Sequence, residues 1–312
     1  MQALYLTRRA SVSKLTGMKI DGMTKSYGII GWPVKHSLSP RFQMHFLQQA
    51  RCNAAYLPFA VAPDLLAPAM EGLWALGVQG FNVTVPHKES VFQMVDADAD
   101  ARLIGAVNTV RRAESGWQAT NTDWLGFKAV IDGLNVDIEG RQVLLFGAGG
   151  TARAALRALA DLRPGAVHIC NRSSERLAAL LASARDAYPE LNCQPLSWRQ
   201  SEVREVSADS SLLMNTTTIG LNTNQDFPFV LNGSGAAIDA VYQPDGATAF
   251  VRAAMASGRR SVDGLPMLIA QGAASFAWWH DCDSPDCNRT LDYMQQSLGR
   301  DRVGLPGWKE GA

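Results

Sequence analysis

The hydrophobic pattern changes period along the chain, and each change marks an element. A short apolar run at Tyr27–Gly31 predicts a strand. Pro40 to about Ala50 then predicts a helix, with Ser39 as its N-cap and Pro40 at the first helical position. Ala55–Val61 reads as a strand, and Pro63–Leu76 carries apolar residues at helical spacing up to a C-cap at Gly77. Gly80–Val85 is a buried strand stopped by Pro86, and Val107–Arg111 and Trp117–Ala119 pair around a turn at Glu114–Gly116. Further on, Val143–Phe146, Ala166–Cys170, Leu212–Asn215 and Ala237–Val241 are short apolar strands. They alternate with helices at Thr151–Leu162, Ser174–Ala184 and Ala247–Ser257. Pro266–Trp279 and a segment near Thr290–Leu298 are the last two helices. Such alternation predicts an α/β fold with parallel strands and helices on both faces. The chain is expected to divide near Leu125: an N-terminal α/β domain over 18–125, a doubly wound parallel-sheet domain over 126–264, and helices over 265–300 that return to the first. A cleft between two such units is where ligands bind. Residues 1–17 read as an extension, with Met18 as an alternative initiator, and 301–312 as a tail.

Composition narrows the class. Of 312 residues, 47% are hydrophobic, enough for a sizeable core. Lys plus Arg number 29 and Asp plus Glu 29, so there is no electrostatic footprint for nucleic acid or an anionic membrane. No apolar run approaches the roughly 18 residues of a membrane span. Residues 1–17 contain Arg8, Arg9 and Lys14 but no apolar core of a secretory signal, so the cytoplasm is expected. The cysteines, Cys52, Cys170, Cys193, Cys282 and Cys287, are odd in number and scattered, which predicts reduced thiols. Cys282 and Cys287, beside Asp281, Asp283 and Asp286, fit surface thiols in a loop, a disulfide or a weak metal site; no Cys/His set completes a zinc site, and no metal is expected.

Val143–Phe146 runs into Gly147-Ala148-Gly149-Gly150-Thr151-Ala152 and then a helix, the G-x-G-x-x-A form of the dinucleotide fingerprint of a Rossmann-type domain. Gly147 permits the tight turn, Gly149 lets the backbone approach a pyrophosphate, and Ala152 lets the helix pack close to the sheet. Free N–H groups at the helix start then meet the phosphates. At the end of the next strand, an acidic residue would select NAD. Here stand Asn171-Arg172-Ser173, with Arg176 one turn later, and an arginine fork suits the 2′-phosphate of NADP. Glu175 is expected to point away at helical phase. Arg172 and Arg176 also fit a plainer role as solvated residues at a helix start.

Three clusters in the first half exceed what a fold needs. In Gly31-Trp32-Pro33-Val34-Lys35-His36-Ser37-Leu38-Ser39-Pro40, two serines in a turn before a helix suit either a carboxylate receptor or helix capping. In Gly80-Phe81-Asn82-Val83-Thr84-Val85-Pro86-His87-Lys88, a strand ends in Thr84 with Lys88 just beyond, a proton shuttle or a solvated lysine. Asn108, in Ile104–Thr109, and Asp123, in Asn121-Thr122-Asp123, stand near strand ends, where turn chemistry is the ordinary use.

Taken in order, these motifs resemble the shikimate dehydrogenase family from about Met18 to Leu298. The resemblance implies reversible NADP(H)-dependent reduction of 3-dehydroshikimate to shikimate, a step toward chorismate and the aromatic amino acids, by a monomer or homodimer. It implies that Lys88 is the catalytic lysine and Asp123 the aspartate paired with it, that Ser37 and Ser39 hold the substrate carboxylate, and that Thr84 and Asn108 bind hydroxyls. Gly147–Thr151 and Asn171–Arg176 match the NADP segments, and Asn215–Leu221 resembles the loop flanking the cofactor. Asp239-Ala240-Val241-Tyr242 and Gly264–Gln271 resemble the closing motifs, which implies Tyr242 and Gln271 at the substrate and Ala240 and Gly264 beside the nicotinamide. The chain departs from the pattern at Gln43 and Met44, where His-Asn is usual, at Pro266, where glycine is frequent, and at Thr217-Thr218. A quinate or aminoshikimate dehydrogenase would share the anchors; a non-catalytic NADP sensor would be expected to lack Lys88 or Asp123; for an unrelated Rossmann reductase, such as a folate- or tRNA-linked one, the neutral charge and the two-serine turn oppose a tRNA partner.

Overall fold

The computed structural model describes residues 20–221, 225–243, 246, 248–301 and 305. The extension 1–17, Met18-Lys19 and most of the tail 301–312 lie outside them. The first half forms β1 (Lys25–Gly31), α1 (Ser39–Gln49), β2 (Ala54–Ala60), α2 (Leu66–Ala75), β3 (Gly80–Val83), α3 (Lys88–Phe92), β4 (Asp96–Ala97), α4 (Ala99–Ile104), β5 (Thr109–Ala113) and β6 (Gly116–Thr120). These strands make a mixed sheet in the order β2-β1-β3-β5-β6-β4, with β1 parallel to β2 and β3, and β5 antiparallel to both its neighbours.

Helix α5 (Asp123–Leu134) leads to the second sheet. There follow β7 (Gln142–Phe146), α6 (Gly150–Ala160), β8 (Ala166–Cys170), α7 (Ser174–Ala187), β9 (Cys193–Leu196), α8 (Gln200–Asp209), β10 (Ser210–Asn215), β11 (Ala236–Asp239), α9 (Ala249–Ala256) and β12 (Arg260–Val262). The order is β12-β11-β10-β7-β8-β9 and every pair is parallel. Strands buried on both faces read as unbroken apolar runs. In β7, Val143 and Leu145 join one core while Leu144 and Phe146 join the core on the opposite face.

The chain then returns. In α10 (Leu265–His280), Leu265, Ile269, Ala273 and Phe276 pack with Phe42 and Phe46 of α1 and Tyr27 of β1, and α11 (Cys287–Ser297) adds Leu291 and Met294. Met267 of α10 belongs instead to the core of the second sheet, so this helix seals both cores.

Several elements escape the sequence pattern, namely α3, β4, α4, α5, α8, β9 and β12, and Leu125 falls in the first turn of α5. β3 stops at Val83, leaving Val85 exposed instead of buried. The first of the two turn-linked strands begins later than expected, at Thr109, and α7 runs on to Ala187. Ser39 is not an N-cap: α1 starts at Ser39 itself, and Leu38 caps it with no side-chain hydrogen bond. All five cysteines are free thiols; Cys287 is not a loop residue but opens α11, where burial pushes its thiol up to about 12. Among the described residues, no helix is long and apolar enough to cross a membrane.

Candidate active site

The site lies at the C-terminal ends of β1, β3 and β7, the usual location in such sheets. After β1 the chain turns through Ser37, Leu38 and Ser39. The Ser39 N–H donates to Ser37 Oγ (3.2 Å), and the Leu38 N–H donates to the Tyr242 hydroxyl (3.4 Å). Tyr242 is 204 positions from Leu38, so the end of the second sheet reaches the two-serine turn. Ser39 is buried against the hydroxyl of Tyr56, which donates to Asn82 Oδ1 (2.7 Å). Burial raises the phenols of both Tyr56 and Tyr242, keeping them as neutral hydroxyl groups. Thr84 follows β3; its N–H donates to Ile30 O (3.0 Å), and its hydroxyl has no hydrogen-bond partner among the described residues.

Lys88 opens α3 and Asp123 opens α5, where the helix dipole favours a carboxylate. The Lys88 ammonium donates to Asp123 Oδ2, with side chains 15% and 6% exposed. Oδ1 of the same carboxylate accepts from Asn108 Nδ2 (2.7 Å), and the Asp123 N–H donates to Asn121 Oδ1 (3.0 Å). Asn108 Nδ2 also faces Gln271 Oε1 (3.1 Å) and Thr122 Oγ1 (3.0 Å). It has two hydrogens for three acceptors, so one acceptor is always left to another donor. His87, beside the lysine, is buried and donates from Nε2 to Val61 O (2.7 Å), which leaves it a structural role.

Behind these groups runs a polar network that the sequence reading missed. Ser275 Oγ meets Thr109 Oγ1 (2.7 Å) and Thr122 Oγ1 (3.0 Å) and accepts from Asn82 Nδ2 (3.0 Å). Its signal was a polar pair at i, i+4, Gln271 and Ser275, on an otherwise apolar helix.

The second sheet contributes the phosphate turn. Gly147 has φ +114°, and a Cβ there would lie 2.5 Å from Thr216 Oγ1, so only glycine fits. Its N–H donates to Cys170 O (2.9 Å), which ties the turn to β8. Gly149, the N-cap of α6, has no side-chain cap, and a Cβ on it would meet nothing within 4 Å. Ala148, Gly150 and Thr151 are half-buried around that opening. Free space before uncapped N–H groups fits a pyrophosphate. A Cβ on Gly150 would come within 3.8 Å of the Ala106 side chain and 3.9 Å of Glu89 Oε1, which brings this turn against the Lys88 side of the cleft.

At the end of β8, Asn171 Nδ2 donates to Ser173 O (2.8 Å), and Ser173 caps α7 by accepting the Arg176 N–H (3.3 Å). Arg172 and Arg176 are exposed, and their guanidinium groups have no partner among the described residues. Glu175 does not point away: its carboxylate accepts from Ser173 Oγ (2.8 Å), the bond that chiefly lowers its pKa. The cap hydroxyl draws it back over the helix start. Ala240 and Gly264 adjoin, since a Cβ on Gly264 would lie 2.4 Å from Ala240 O. A separate cavity of ≈ 460 Å³ opens at the other end of the first sheet, near Lys25, Arg111 and Arg112, and contains none of these groups.

Residues 29–110 match the family described as shikimate dehydrogenase substrate binding domain. A shikimate dehydrogenase (NADP(+)) of Thermosynechococcus vestitus is 40% identical over 270 residues, 84% of this chain and 92% of the relative. Among solved structures, shikimate dehydrogenase from Aquifex aeolicus superposes with TM-score 0.78 at 34% identity, covering 91% of this chain and 100% of the other. Shikimate 5-dehydrogenase from Thermus thermophilus, in complex with NADP(H) and shikimate, superposes with TM-score 0.75 at 30% identity, covering 88% and 100%.

Proposed function

The chain belongs to the shikimate dehydrogenase family, and we propose that its cleft carries the family's chemistry on Lys88 and Asp123. It is an NADP-dependent oxidoreductase interconverting 3-dehydroshikimate and shikimate. We read 18–125 with 265–300 as its substrate domain and 126–264 as its NADP domain, working in the cytoplasm, where free thiols are at home.

The observation that carries the site assignment is the Lys88–Asp123 ion pair, with Asn108 and Gln271 hydrogen-bonded behind it. In reduction, Lys88 gives its proton to the oxygen that becomes a hydroxyl, and its charge stabilises that oxygen as electron density develops there. In oxidation the same nitrogen takes the proton back. Asp123 keeps the ammonium aimed, and Asn108 keeps Asp123 aimed. Ser37 and Ser39 receive the carboxylate, with the Tyr242 hydroxyl at the same turn. Thr84, with its hydroxyl free, and the Asn108–Gln271 pair take the ring hydroxyls. Bound NADPH supplies the hydride. The residues that would hold it are Gly147–Thr151 at the pyrophosphate, Asn171, Arg172, Ser173 and Arg176 at the 2′-phosphate, and Ala240 and Gly264 at the nicotinamide. Initial rates with shikimate and quinate, each against NADP and NAD, test this reading. Shikimate with NADP should win by well over tenfold; equal efficiency with quinate and NAD would refute it.

A further inference from the structure

Asp263, immediately before Gly264, is 4% exposed. Its carboxylate accepts from the Leu265 N–H (3.3 Å) and faces the Gln243 N–H, next to Tyr242. The Gly264 N–H in turn donates to Val241 O (2.9 Å). One buried acid thus ties the segment carrying Ala240 and Tyr242 to the first turn of α10, which carries Gln271. A buried carboxylate needs a partner to remain charged. Its ion-pair partner is Arg300, beyond α11: Nη2 donates to Asp263 Oδ1 (2.9 Å), with side chains 7% and 3% exposed. Among the described residues, Asp263 Oδ2 and Arg300 Nη1 are buried without a hydrogen-bond partner, so a single bond joins the two charges. Arg300 is anchored by its own N–H to Gln295 O (2.9 Å), and Leu305 beyond it is buried in the core of the second sheet.

We infer that Arg300 is a positioning residue for the reaction: by holding Asp263 it keeps the Tyr242 segment and the start of α10 in one register, and with them the substrate and nicotinamide contacts. The inference rests on the proposed function of the cleft. Without Arg300, Asp263 is a buried charge with no counter-ion and must take up a proton or turn toward solvent. Either change loosens Gln243 and Leu265 together. Losing a charge-assisted bond at one remove from the substrate predicts a rise in KM for shikimate of roughly tenfold, with a smaller change in kcat.

The test compares the wild-type chain with Arg300→Met and Arg300→Lys, checking first by circular dichroism that each is folded at the assay temperature. In Arg300→Met the KM for shikimate should rise roughly tenfold, and Arg300→Lys, which keeps the charge but loses the fork, should fall between the two. Wild-type KM in a folded Arg300→Met overturns the inference, as does a fall in kcat alone. Should Arg300→Met not fold, Arg300→Lys decides, and an unchanged KM overturns it. Hydrogen exchange at the Gln243 and Leu265 amides reads the same link without turnover: faster exchange in the variants supports it, and unchanged exchange overturns it. Absence of shikimate turnover in the wild type would instead remove the proposed function, leaving the exchange result to judge Arg300.

Discussion

Lys88 and Asp123 stand 35 positions apart, each the first residue of its helix, and their side chains meet in a nearly dry ion pair. The carboxylate is held from both sides, by the ammonium on Oδ2 and by Asn108 on Oδ1. An acid–base lysine so fixed loses little in orientation when a substrate arrives, which is what positioning contributes to rate.

Lys88→Ala should therefore abolish most turnover. A lost general acid costs about a hundredfold to ten-thousandfold in kcat. NADP binding, followed by calorimetry, should persist, because the phosphate turn lies on the other sheet. Turnover near the wild-type rate would remove Lys88 from the mechanism.

Gly149→Val separates binding from folding. The backbone at Gly149 has φ −103°, which any residue adopts, and the added side chain meets no atom within 4 Å at its Cβ. The melting temperature should hold, while NADP affinity should fall by at least about tenfold, because the side chain fills the space before the α6 N–H groups. Unaltered affinity would mean the pyrophosphate lies elsewhere.

Cofactor choice should follow the charges at the start of α7. Arg172→Ala is expected to lower kcat/KM with NADP at least roughly tenfold and to leave NAD little changed. Glu175→Gln should shift preference the other way, since its carboxylate stands at the same helix end as the two free arginines. If both variants keep the wild-type NADP to NAD ratio, these side chains do not read the 2′-phosphate.

Asp239 should make stability pH-dependent. Burial pushes its carboxyl from 3.8 up to about 7, despite bonds from Thr248, the Val241 N–H and Asn215. Between those values the folded chain binds the extra proton, so stability falls as pH rises through this window and is fully expressed only below it. Asp239→Asn mimics the protonated form. Urea unfolding at pH 5 and pH 8 should show the wild type losing more stability than the variant; an equal loss in both would show that Asp239 ionises normally.

The sequence by itself determined what contiguous residues can determine. Four strands of the parallel sheet were legible because burial on both faces leaves unbroken apolar runs, and Ala166–Cys170 agrees to the residue. The phosphate turn was legible because Gly147, Gly149 and Ala152 act within one strand-turn-helix unit, where backbone dihedral angles and local sterics suffice. In the first half, motif resemblance singled out Ser37, Lys88 and Asp123, where periodicity left each a plainer use. Tertiary structure decided the rest. The Asn108–Gln271 contact spans 163 positions and that of Tyr242 with Leu38 spans 204. Asn82 and Arg300 carry no local mark of the network or ion pair they enter, and Ser275 shows only as the polar residue one turn beyond Gln271 on an apolar helix. Ser39 failed as a cap because the chain turns helical one residue earlier, at Leu38, which leaves Ser39 as the first helical residue, buried beside Tyr56 of a neighbouring strand. Hydrogen bonds and buried charges depend on which side chains packing brings together, and here α10 has to fold back against α1 and α5 before they can form.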